Sequence, residues 1–552
     1  MATLLDAAVL SADRLDAPAV IFLEPDAPPV TVSRADFRQR AHRAAAALNA
    51  LGIPLRRLVI IAQTQSLESL YLFWGALLIG AIPSMFPPLT EKLDAEVYRR
   101  NMAALAHRSD AAAVFTTPDA APPLRDAFGA LCPVYTSADL PDAESSAAYV
   151  PDPDEIAFLQ HSSGTTGLQK GVALSHRAVL TQIDHYSAAI ALTNSDSIVS
   201  WLPLYHDMGL IAAFILPLVR GLPLILMSPF AWASRPAMLL RAINAYRPTF
   251  CWLPNFAYNH MAARVRPADS AGLDLSSIRA FINCSEPVRH ESHMAFFSRF
   301  SANGVRLDQL AVSYAMAENT FAVTQTPIGS PPTVRVLDRA ALQMQGRAVD
   351  APPDLAQTVM HVSCGAPISG TQIKVVDAAG HDLPPDHVGE IYVQSDCMLT
   401  EYYRRPDLNP FDQKGWYHTG DRGFLSADGD LYVVGRSKDL IIHAGKNIYP
   451  QDIEAVVSGV EGVHPGRAVA FGVADAAEGT ELIAIIAEVE TDDPAVRKRI
   501  NLDIRKRVSA QTDVTVNYVE LVERGWLVKT SSGKIARGEN RAKWLEKRGF
   551  RD

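Results

Sequence analysis

The sequence lacks the features that mark a secreted, membrane-spanning or zinc-binding protein. Its five cysteines are scattered, and none stands in a C-x-x-C pair, which argues against a disulfide framework and a zinc site. The N-terminus lacks a basic start followed by an apolar core, so no signal peptide is indicated. The most apolar stretches, residues 70–86 (read as a buried helix and turn) and 209–219, are too short to cross a bilayer. We expect a cytoplasmic protein without membrane insertion.

The rest of the composition is typical of a globular protein. With 552 residues, 48% hydrophobic and 20% charged, the chain exceeds the roughly 250–300 residues at which single cores stop growing, so we expect two or more structural units. The net charge of −9 argues against nucleic-acid binding. Residues 524–552 nevertheless contain nine basic and three acidic residues. This basic end is either a solvated helix face or a surface that faces an anionic partner.

Short apolar runs alternate with helical patterns over most of the chain, which predicts α/β layers with largely parallel strands. The clearest runs are residues 58–63, 112–117, 222–227, 280–283 and 310–315. Short strands and turns predict a β-rich subdomain over about residues 362–437, and a small α+β domain follows from Lys438 to the end. Residues 330–357, polar and bounded by prolines, are expected to be a loose stretch inside the large domain of residues 1–437.

A Gly/Ser/Thr-rich run, HSSGTTGLQKG (161–171), lies between two apolar strand-like segments. Glycines allow close approach of an anion, and hydroxyls, amides and a lysine supply donors and charge. Candidate phosphate ligands are Ser163, Gly164, Thr165, Thr166 and Lys170. The pattern G-x-x-x-x-G-K-[ST] is absent, so composition alone also permits a solvated polar loop.

Further segments are weak signals when each is taken alone. A glutamate four residues after a tyrosine in SYAMAENT (313–320) is by default solvated, and Asp421 in YHTGDRGFL (417–425) is by default an aspartate of a Gly-flanked turn. GRSKDLI (435–441) and TSSGKIAR (530–537) are basic, Gly-containing segments. The order of these segments along the chain is informative, because several weak motifs rarely occur in the same order and at the same separations by chance.

Together these segments resemble the adenylate-forming enzymes, which include acyl-CoA synthetases, luciferases and peptide-synthetase adenylation domains. The resemblance covers nearly the whole chain and also rests on WLPLYHDMGL (201–210) and NCSEPV (283–288). It implies that the 161–171 run holds phosphates. It also implies attack of a carboxylate on the α-phosphorus of ATP, which gives acyl-AMP and pyrophosphate. One departure is Leu168-Gln169, where the family more often has x-Pro; proline there would only stiffen the loop.

The resemblance assigns roles in nucleotide binding. The 161–171 loop would hold the phosphates, and Glu318 would help to hold Mg²⁺, which prefers oxygen ligands. The backbone of residues Ser285, Glu286 and Pro287 would sandwich the adenine against the Tyr314 ring, with Ala315 beside it.

Three further residues take roles from the same resemblance. Asp421 would accept from the ribose hydroxyls, with Arg436 nearby. Lys534 would bridge the substrate carboxylate and the ribose, where charge builds up.

Two remaining positions concern the acid and the domain movement. His206 matches a position close to the acyl carboxylate, although a structural histidine remains the alternative. Lys438 matches the hinge about which the small C-terminal domain turns between the two half-reactions, which makes that domain mobile.

Within the superfamily, the chain resembles fatty acyl-AMP ligases. Tyr314 and Gly365 are 51 residues apart, roughly twice the spacing of acyl-CoA synthetases, and the excess (330–357) resembles the insertion of those ligases, thought to restrain the C-terminal domain. CWLPNFAYN (251–259) and GKNIYPQDIE (445–454) also resemble that branch. A neutral surface loop in an acyl-CoA synthetase is the alternative. A nucleotide-binding protein without catalysis is a remote one, because Glu318, Asp421, Arg436 and Lys534 are present.

The ligase resemblance implies a separate acyl carrier protein as the acyl acceptor, and the basic 524–552 end is a candidate contact for an acidic carrier. The resemblance implies a medium- or long-chain fatty acid as the substrate, and a shorter, branched or aryl acid is the alternative. We expect its tail to be lined by apolar residues from Trp201–Leu204, Met227–Pro229 and Trp252–Phe256.

Overall fold

The computed structural model describes eleven stretches of the chain. They are residues 2–9, 13–90, 95–129, 131–143, 148–161, 170–352, 357–443, 446–475, 480–512, 514–530 and 534–549. The predicted phosphate ligands Ser163, Gly164, Thr165 and Thr166 lie outside these residues. Among the described residues, no helix is both long and apolar enough to cross a membrane.

Two large sheets form the first part of the fold. In the nine-stranded sheet, six central strands are parallel and three strands at the edges are antiparallel to their neighbours. Its strands, in spatial order, are Ala366–Pro367, Ala322–Gln325, Leu310–Ala315, Ala280–Asn283, Phe250–Leu253, Ile198–Ser200, Leu224–Met227, Pro18–Leu23 and Val30–Ser33. The parallel arrangement agrees with the α/β pattern of the sequence.

The second large sheet has seven strands, of which five are parallel. In spatial order they are Glu401–Tyr402, Gly171–Ser175, Ile156–His161, Ile82–Met85, Leu58–Ala62, Ala113–Thr116 and Val134–Tyr135. Strands Ile156–His161 and Gly171–Ser175 are antiparallel and pair His161 with Gly171. The candidate phosphate loop therefore connects the two strands of a hairpin.

Helices cover the large sheets and bury a common apolar core. The α-helices before residue 440 are Leu4–Ala8, Arg34–Ala50, Leu67–Leu78, Ala95–Arg108, Ala121–Phe128, His176–Ala189, Leu216–Arg220, Pro229–Ser234, Ala237–Tyr246, Asn255–Arg264, Pro267–Ser270 and His290–Phe300. Helix Leu67–Leu78 begins with a capping box between Ser66 and Ser69. A turn at residues 79–80 follows this helix, so the apolar stretch 70–86 is a buried helix and a turn, as expected, and it ends in strand Ile82–Met85, which was not expected.

A four-stranded antiparallel sheet forms the β-rich part of the chain. Its strands are Thr371–Val376, Gly389–Ser395, Tyr417–Leu425 and Leu431–Arg436. Asp421 lies inside the third strand, paired with Arg436 on the fourth, so the expectation of a Gly-flanked turn at Asp421 is wrong. Cross-strand pairing brings the two side chains together more rigidly than a turn would.

Residues 330–357 are not a loose stretch in the part that the structure describes. Strand Val334–Asp338 pairs antiparallel with Thr358–Val362, and a short π-helix, Ala341–Gln345, lies between them. Leu337 and Leu342 are buried in one cluster with Phe424, Tyr432 and Tyr449. The expectation was wrong because it was based on the polar, proline-rich composition of the segment. A few apolar side chains, Leu337 and Leu342 among them, pack into the buried cluster and hold the segment in place.

The last part of the chain is a compact α+β unit. It contains strands Ile441–His443, Lys446–Ile448, Val463–Asp475, Thr480–Val489 and Tyr518–Val522, and helices Pro450–Ser458, Pro494–Thr512 and Arg537–Arg548. Its sheet packs on one side against the first two helices and on the other against the last, with Trp544 fully buried. A domain boundary at Lys438 remains a prediction.

Candidate active site

Three of the predicted nucleotide ligands form one hydrogen-bonded group. The Tyr314 hydroxyl donates to Oδ2 of Asp421 at 2.6 Å, and Nε of Arg436 donates to Oδ1 of the same carboxylate at 3.0 Å. Asp421 itself is nearly buried. The ion pair with Asp421 raises the pKa of the Arg436 guanidinium, and burial next to the Asp421 carboxylate raises the pKa of Tyr314 well above its usual value. The Asp421 carboxylate is thus oriented by two donors.

Glu318 lies in a short 3₁₀ turn and faces two tyrosines. The Tyr402 hydroxyl donates to Oε1 of Glu318 at 3.0 Å, and it lies 3.2 Å from the Tyr417 hydroxyl. Burial raises the pKa of the Glu318 carboxyl, against the opposing effect of these hydrogen bonds. A bound cation would favour the ionised form that burial disfavours.

The backbone after Glu318 is strained. Thr320 has φ 61° and ψ −53°, and the N–H of Phe321 donates to the carbonyl of Asn319 at 2.6 Å, which closes a γ-turn around a β-branched residue. The Thr320 hydroxyl donates to the carbonyl of Cys397 at 2.7 Å, and Gln160 donates to the carbonyl of Thr320. These buried bonds hold the turn that positions Glu318.

Lys170, the last residue of the predicted phosphate loop, lies beside the same group. Its Nζ is 4.7 Å from the centroid of the Tyr402 ring, and the side chain is exposed. Strand Glu401–Tyr402 pairs with Gly171–Ser175, which brings the loop exit next to Tyr402 and hence to Glu318. Burial lowers the pKa of the Lys438 amine, and the nearby charges of Arg436 and Lys170 lower it further.

His206 lies at the start of a buried π-helix, Met208–Ile215, with Nδ1 2.6 Å from Oδ1 of Asp207. Burial opposes ionisation of Asp207, but the charge of His206 and hydrogen bonds from His206 and the Met208 N–H lower its pKa overall. A side chain on Gly209 would collide with the carbonyl oxygen of Pro203, so glycine permits the tight approach that folds this segment. The short contact between the two side chains thus orients the His206 ring.

Lys534, from the C-terminal unit, reaches this region. Its Nζ donates to the carbonyl of Ser285 at 2.5 Å, and its charge contributes to the lowered pKa of Asp207. Ser285 has φ 71°, a conformation that points its carbonyl away from a regular strand path. Lys529 pairs with Ile535 across an isolated bridge, so Lys534 stands near the tip of a hairpin. The structure therefore brings Lys534, His206 and the Ser285 loop together.

The remaining residues of the Ser285 loop have structural partners. Glu286 accepts a hydrogen bond from the Phe256 N–H at 2.9 Å through Oε2. Pro287 follows it before helix His290–Phe300, and Ala315 ends the strand that carries Tyr314.

A small cavity that is partly open to solvent adjoins the His206 segment. Of the three predicted tail-lining segments, two contribute residues: Leu204 and Pro229. The third does not, since Trp252 is fully buried and donates to the Tyr186 hydroxyl at 2.8 Å. The sequence analysis does not predict three further residues of the cavity wall, Gln63, Gln65 and Phe86. They follow the carboxyl ends of parallel strands, where ligands bind in α/β folds, and this position could have indicated them.

The hairpin of residues 334–362 touches the segment that follows Lys438. Nη1 of Arg339 lies 3.7 Å from Oδ2 of Asp452, with both side chains largely buried. The π-helix Ala341–Gln345 lies against strand Lys446–Ile448, and Arg289 donates to the Gln451 carbonyl at 2.6 Å. The insertion thus contacts both sides of the predicted hinge.

Comparisons with known proteins give one consistent family. A model of the AMP-binding enzyme family matches residues 8–403. The chain is 33% identical over 513 residues to the medium-chain-fatty-acid–[acyl-carrier-protein] ligase JamA of Moorena producens, covering 88% of this chain and 85% of that protein. It is 32% identical over 579 residues to the long-chain-fatty-acid–AMP ligase FadD32 of Mycolicibacterium smegmatis, covering 95% and 90%.

Solved structures agree. A structure from work on fatty acyl-adenylate ligases of E. coli and L. pneumophila superposes with a TM-score of 0.89 at 29% identity, covering all of this chain and 98% of the other. The α/β architecture expected from the sequence is therefore confirmed over the full length.

Proposed function

Since this chain belongs to the AMP-binding enzyme family and, within it, to the fatty acyl-AMP ligases, we propose that it activates a carboxylic acid with ATP and passes the acyl group to an acyl carrier protein. The acid is a medium- or long-chain fatty acid. The observation that carries the proposal is the meeting of Lys534 with the Ser285 loop, beside His206 and across from the Tyr314–Asp421–Arg436 group.

In the first step, a carboxylate oxygen bonds to the α-phosphorus of ATP, and the bond from that phosphorus to the bridging oxygen of pyrophosphate breaks. Two anions must approach each other, so fixed positive charge lowers the barrier. Lys534 supplies that charge next to the adenine loop, and His206 lies close to the carboxylate. Asp421, held by Tyr314 and Arg436, accepts from the ribose hydroxyls.

The residues present fit one Mg²⁺ ion held mainly by the nucleotide. Among the described residues, no group of three or more His, Cys, Asp or Glu side chains could hold a metal. Mg²⁺ commonly uses one or two carboxylates together with substrate phosphates and water. Glu318 is the carboxylate that would hold the ion, and its buried, hydrogen-bonded position suits that role. The ion would supply neutralisation of phosphate charge.

In the second step, the thiol of the carrier's phosphopantetheine loses its proton, its sulfur bonds to the acyl carbonyl carbon, and AMP leaves. The contacts of Arg339 and of helix Ala341–Gln345 with residues 446–452 support a restrained C-terminal unit, in which free CoA is a poor acceptor. We also place the protein in the cytoplasm, in keeping with five cysteines that are all free and buried.

The test is a product analysis of the purified protein with Mg·ATP and a panel of acids, in the presence of CoA, of a phosphopantetheine-bearing carrier protein, or of neither. We expect acid-dependent pyrophosphate release, acyl-AMP as the product without an acceptor, and acyl transfer to the carrier but little to CoA. Efficient acyl-CoA formation would instead identify an acyl-CoA synthetase. ATP binding without any acid-dependent pyrophosphate release would identify a non-catalytic nucleotide-binding protein.

A further inference from the structure

Lys534 is carried on a short two-stranded arm of the C-terminal unit. At the base of the arm, the N–H of Ala536 donates to the carbonyl of Val528 at 3.0 Å. Further out, the N–H of Thr530 donates to the carbonyl of Lys534 at 2.7 Å. Lys534 is thus two residues from the base, which is about 7 Å along a strand. A small rotation at the base therefore displaces Lys534.

The side chain of Asn540 holds the base of this arm. Its Oδ1 accepts a hydrogen bond from the Val528 N–H at 2.9 Å. Its Nδ2 donates to the Val528 carbonyl at 2.8 Å and to the Ala536 carbonyl at 2.9 Å. Because an N–H only donates and a carbonyl only accepts, these partners fix the orientation of the amide. One side chain thus joins both strands of the arm.

Asn540 is itself fixed to the body of the unit. It is fully buried near the start of helix Arg537–Arg548, and its backbone N–H also donates to the Ala536 carbonyl at 3.0 Å. Trp544, one turn further along this helix, is fully buried against the sheet. Loss of a buried hydrogen-bond partner costs free energy, because the remaining group is left without water. The base of the arm is therefore held rigidly.

The chain that leads into the arm is fixed separately. Oε1 of Glu488, a fully buried carboxylate, accepts from the N–H groups of Gly525 and Leu527 at 3.0 Å each. These bonds hold one strand before it reaches the arm. Asn540 differs because it bonds to both strands, so it sets the direction in which the arm projects.

The proposed role of Lys534 makes that direction important. Its Nζ donates to the carbonyl of Ser285, in the N-terminal part of the chain, at 2.5 Å. A lysine side chain is long and flexible, so its amine is placed accurately only if its backbone is. A misplacement of about 1 Å at a reacting centre can lower a rate about a hundredfold.

We propose that Asn540 is a positioning residue for Lys534 in adenylation. It touches neither the nucleotide nor the acid in this assignment, and it acts by holding the arm that carries the lysine. The inference rests on the proposed function and deepens it, because it extends the adenylation machinery to a buried amide of the C-terminal unit. Acyl transfer from acyl-AMP should not depend on it.

The test is a double-mutant cycle on the full chain, with kcat and KM measured for acid-dependent pyrophosphate release. Asn540→Ala should lower kcat about tenfold and change KM little, since the lost interaction acts in the transition state. In a Lys534→Ala background the same change should have almost no further effect, because the amine that it positions is gone. Transfer from supplied acyl-AMP to the carrier should stay within about twofold.

Asn501→Ala is the matched control in the same unit. Nδ2 of Asn501 donates to the carbonyl of Val519 at 3.2 Å, which ties a helix to a strand away from the arm. We expect a lower Tm and an unchanged kcat. Asn540→Ser is a milder second variant, because a helical serine can still bond to the Ala536 carbonyl four residues earlier while both bonds to Val528 are lost. It should give the same cycle.

Three results would overturn the inference. The first is an unchanged kcat in both Asn540 variants, and the second is an equal loss of kcat with and without the Lys534 amine. The third is failure of both variants to fold, which would show that the fold and not the arm requires Asn540. Each of these leaves the proposed function standing if the unaltered protein releases pyrophosphate, whereas no acid-dependent release from the unaltered protein would remove both.

Discussion

Lys534 contacts the carbonyl of a residue 249 positions earlier in the chain, at a distance of 2.5 Å. A cation at this point faces the place where two anions meet, so its removal should act on the adenylation barrier. We expect Lys534→Ala to lower kcat/KM for acid-dependent pyrophosphate release about a hundredfold or more. Transfer from supplied acyl-AMP to the carrier should change much less, because the carboxylate is already activated.

The control for this prediction is Lys506→Ala, since Lys506 is an exposed lysine on helix Pro494–Thr512 of the same unit. Pyrophosphate release should be unchanged in that variant. A Lys534→Ala protein that adenylates at a near-normal rate would remove Lys534 from the proposed mechanism.

Glu318 should show opposite effects on activity and stability. Burial raises the pKa of its carboxyl, so the folded protein holds the proton more tightly than the unfolded chain. That contribution to stability is present below the unfolded pKa and is lost as pH rises through the raised folded pKa. Glu318→Gln carries no such loss. We therefore expect its Tm to exceed that of the unaltered protein at about pH 8 and to approach it at about pH 4.

The same Glu318→Gln protein should lose about a hundredfold in Mg²⁺-dependent pyrophosphate release, because the ion loses its protein carboxylate. Thermal unfolding across the pH range, without nucleotide, gives the stability part, and a Mg²⁺ titration gives the activity part. Asp382→Asn serves as the control, since Asp382 is an exposed carboxylate in the connection between strands Thr371–Val376 and Gly389–Ser395. A lower Tm for Glu318→Gln at every pH would contradict the assignment of a burial-dominated carboxylate.

At the residue level, motifs predicted more than geometry could. Tyr314, Asp421 and Arg436 belong to three separate sequence motifs and are each predicted to bind the nucleotide. The structure brings the three side chains within hydrogen-bonding distance. The sequence analysis does not predict that Tyr402 and Tyr417 lie beside Glu318, although Tyr417 begins the segment YHTGDRGFL. Their roles come from tertiary packing, which a single sequence does not reveal.

At the scale of elements, the hairpin of residues 334–362 is the clearest difference between expectation and structure. Its strands, VRVLD and TVMHV, contain the β-branched residues of a strand pair, yet the prolines and charges between them favoured a loop. The segment is ordered because its two strands pair across about 20 residues, and such long-range pairing cannot be predicted from local composition. Five parallel strands of the large sheets, by contrast, are predicted directly from short apolar runs: Leu58–Ala62, Ala113–Thr116, Leu224–Met227, Ala280–Asn283 and Leu310–Ala315.

The hairpin should restrict the use of CoA by holding the C-terminal unit. Leu342 is 1% exposed and shares a buried cluster with Tyr449, beyond the predicted hinge. We expect Leu342→Asp to detach this contact and to raise the ratio of acyl-CoA to acyl-AMP formed by roughly five- to tenfold, the size of a typical coupling between states. The measurement is the product ratio at fixed CoA concentration.

Met344→Asp provides the matched control on the same helix, because Met344 is 63% exposed. It introduces the same charge two residues away without breaking the cluster, and its product ratio should not move. If both variants gave the ratio of the unaltered protein, the hairpin would be a neutral surface element.

At the scale of the whole molecule, the succession of structural units could be predicted from the sequence, whereas the contacts between the N-terminal part and the C-terminal unit could not. The alternation of strands and helices predicts α/β layers, followed by a β-rich subdomain and a small α+β unit, and the solved relative confirms that fold class. The contacts Arg289–Gln451, Arg339–Asp452 and Lys534–Ser285 cross the predicted boundary at Lys438. They place the two units in an arrangement that suits adenylation.

The positive charge of the C-terminal end, residues 524–552, is partly neutralised by ion pairs within the molecule. Arg537 is tied to Asp439 and Glu454, and Lys547 and Arg548 to Glu520. Among the basic residues of 524–552 that the structure describes, Arg524 and Lys543 are exposed and lack an ion pair with a carboxylate; Lys543 Nζ donates to the Trp526 carbonyl at 2.7 Å and lies 3.9 Å from the centroid of the Trp526 ring. These two are the best candidates for contact with an acidic carrier protein.

We expect the double variant Arg524→Glu/Lys543→Glu to lower kcat/KM for the carrier severalfold at low salt and to flatten its dependence on salt, since charge pairs at an interface act mainly on the association rate. Pyrophosphate release with acid alone should remain unchanged. Arg43→Glu/Arg100→Glu makes the same charge change at exposed positions in the N-terminal part and should leave carrier kinetics as they are. Equal salt dependence in both double variants would mean that the carrier docks elsewhere.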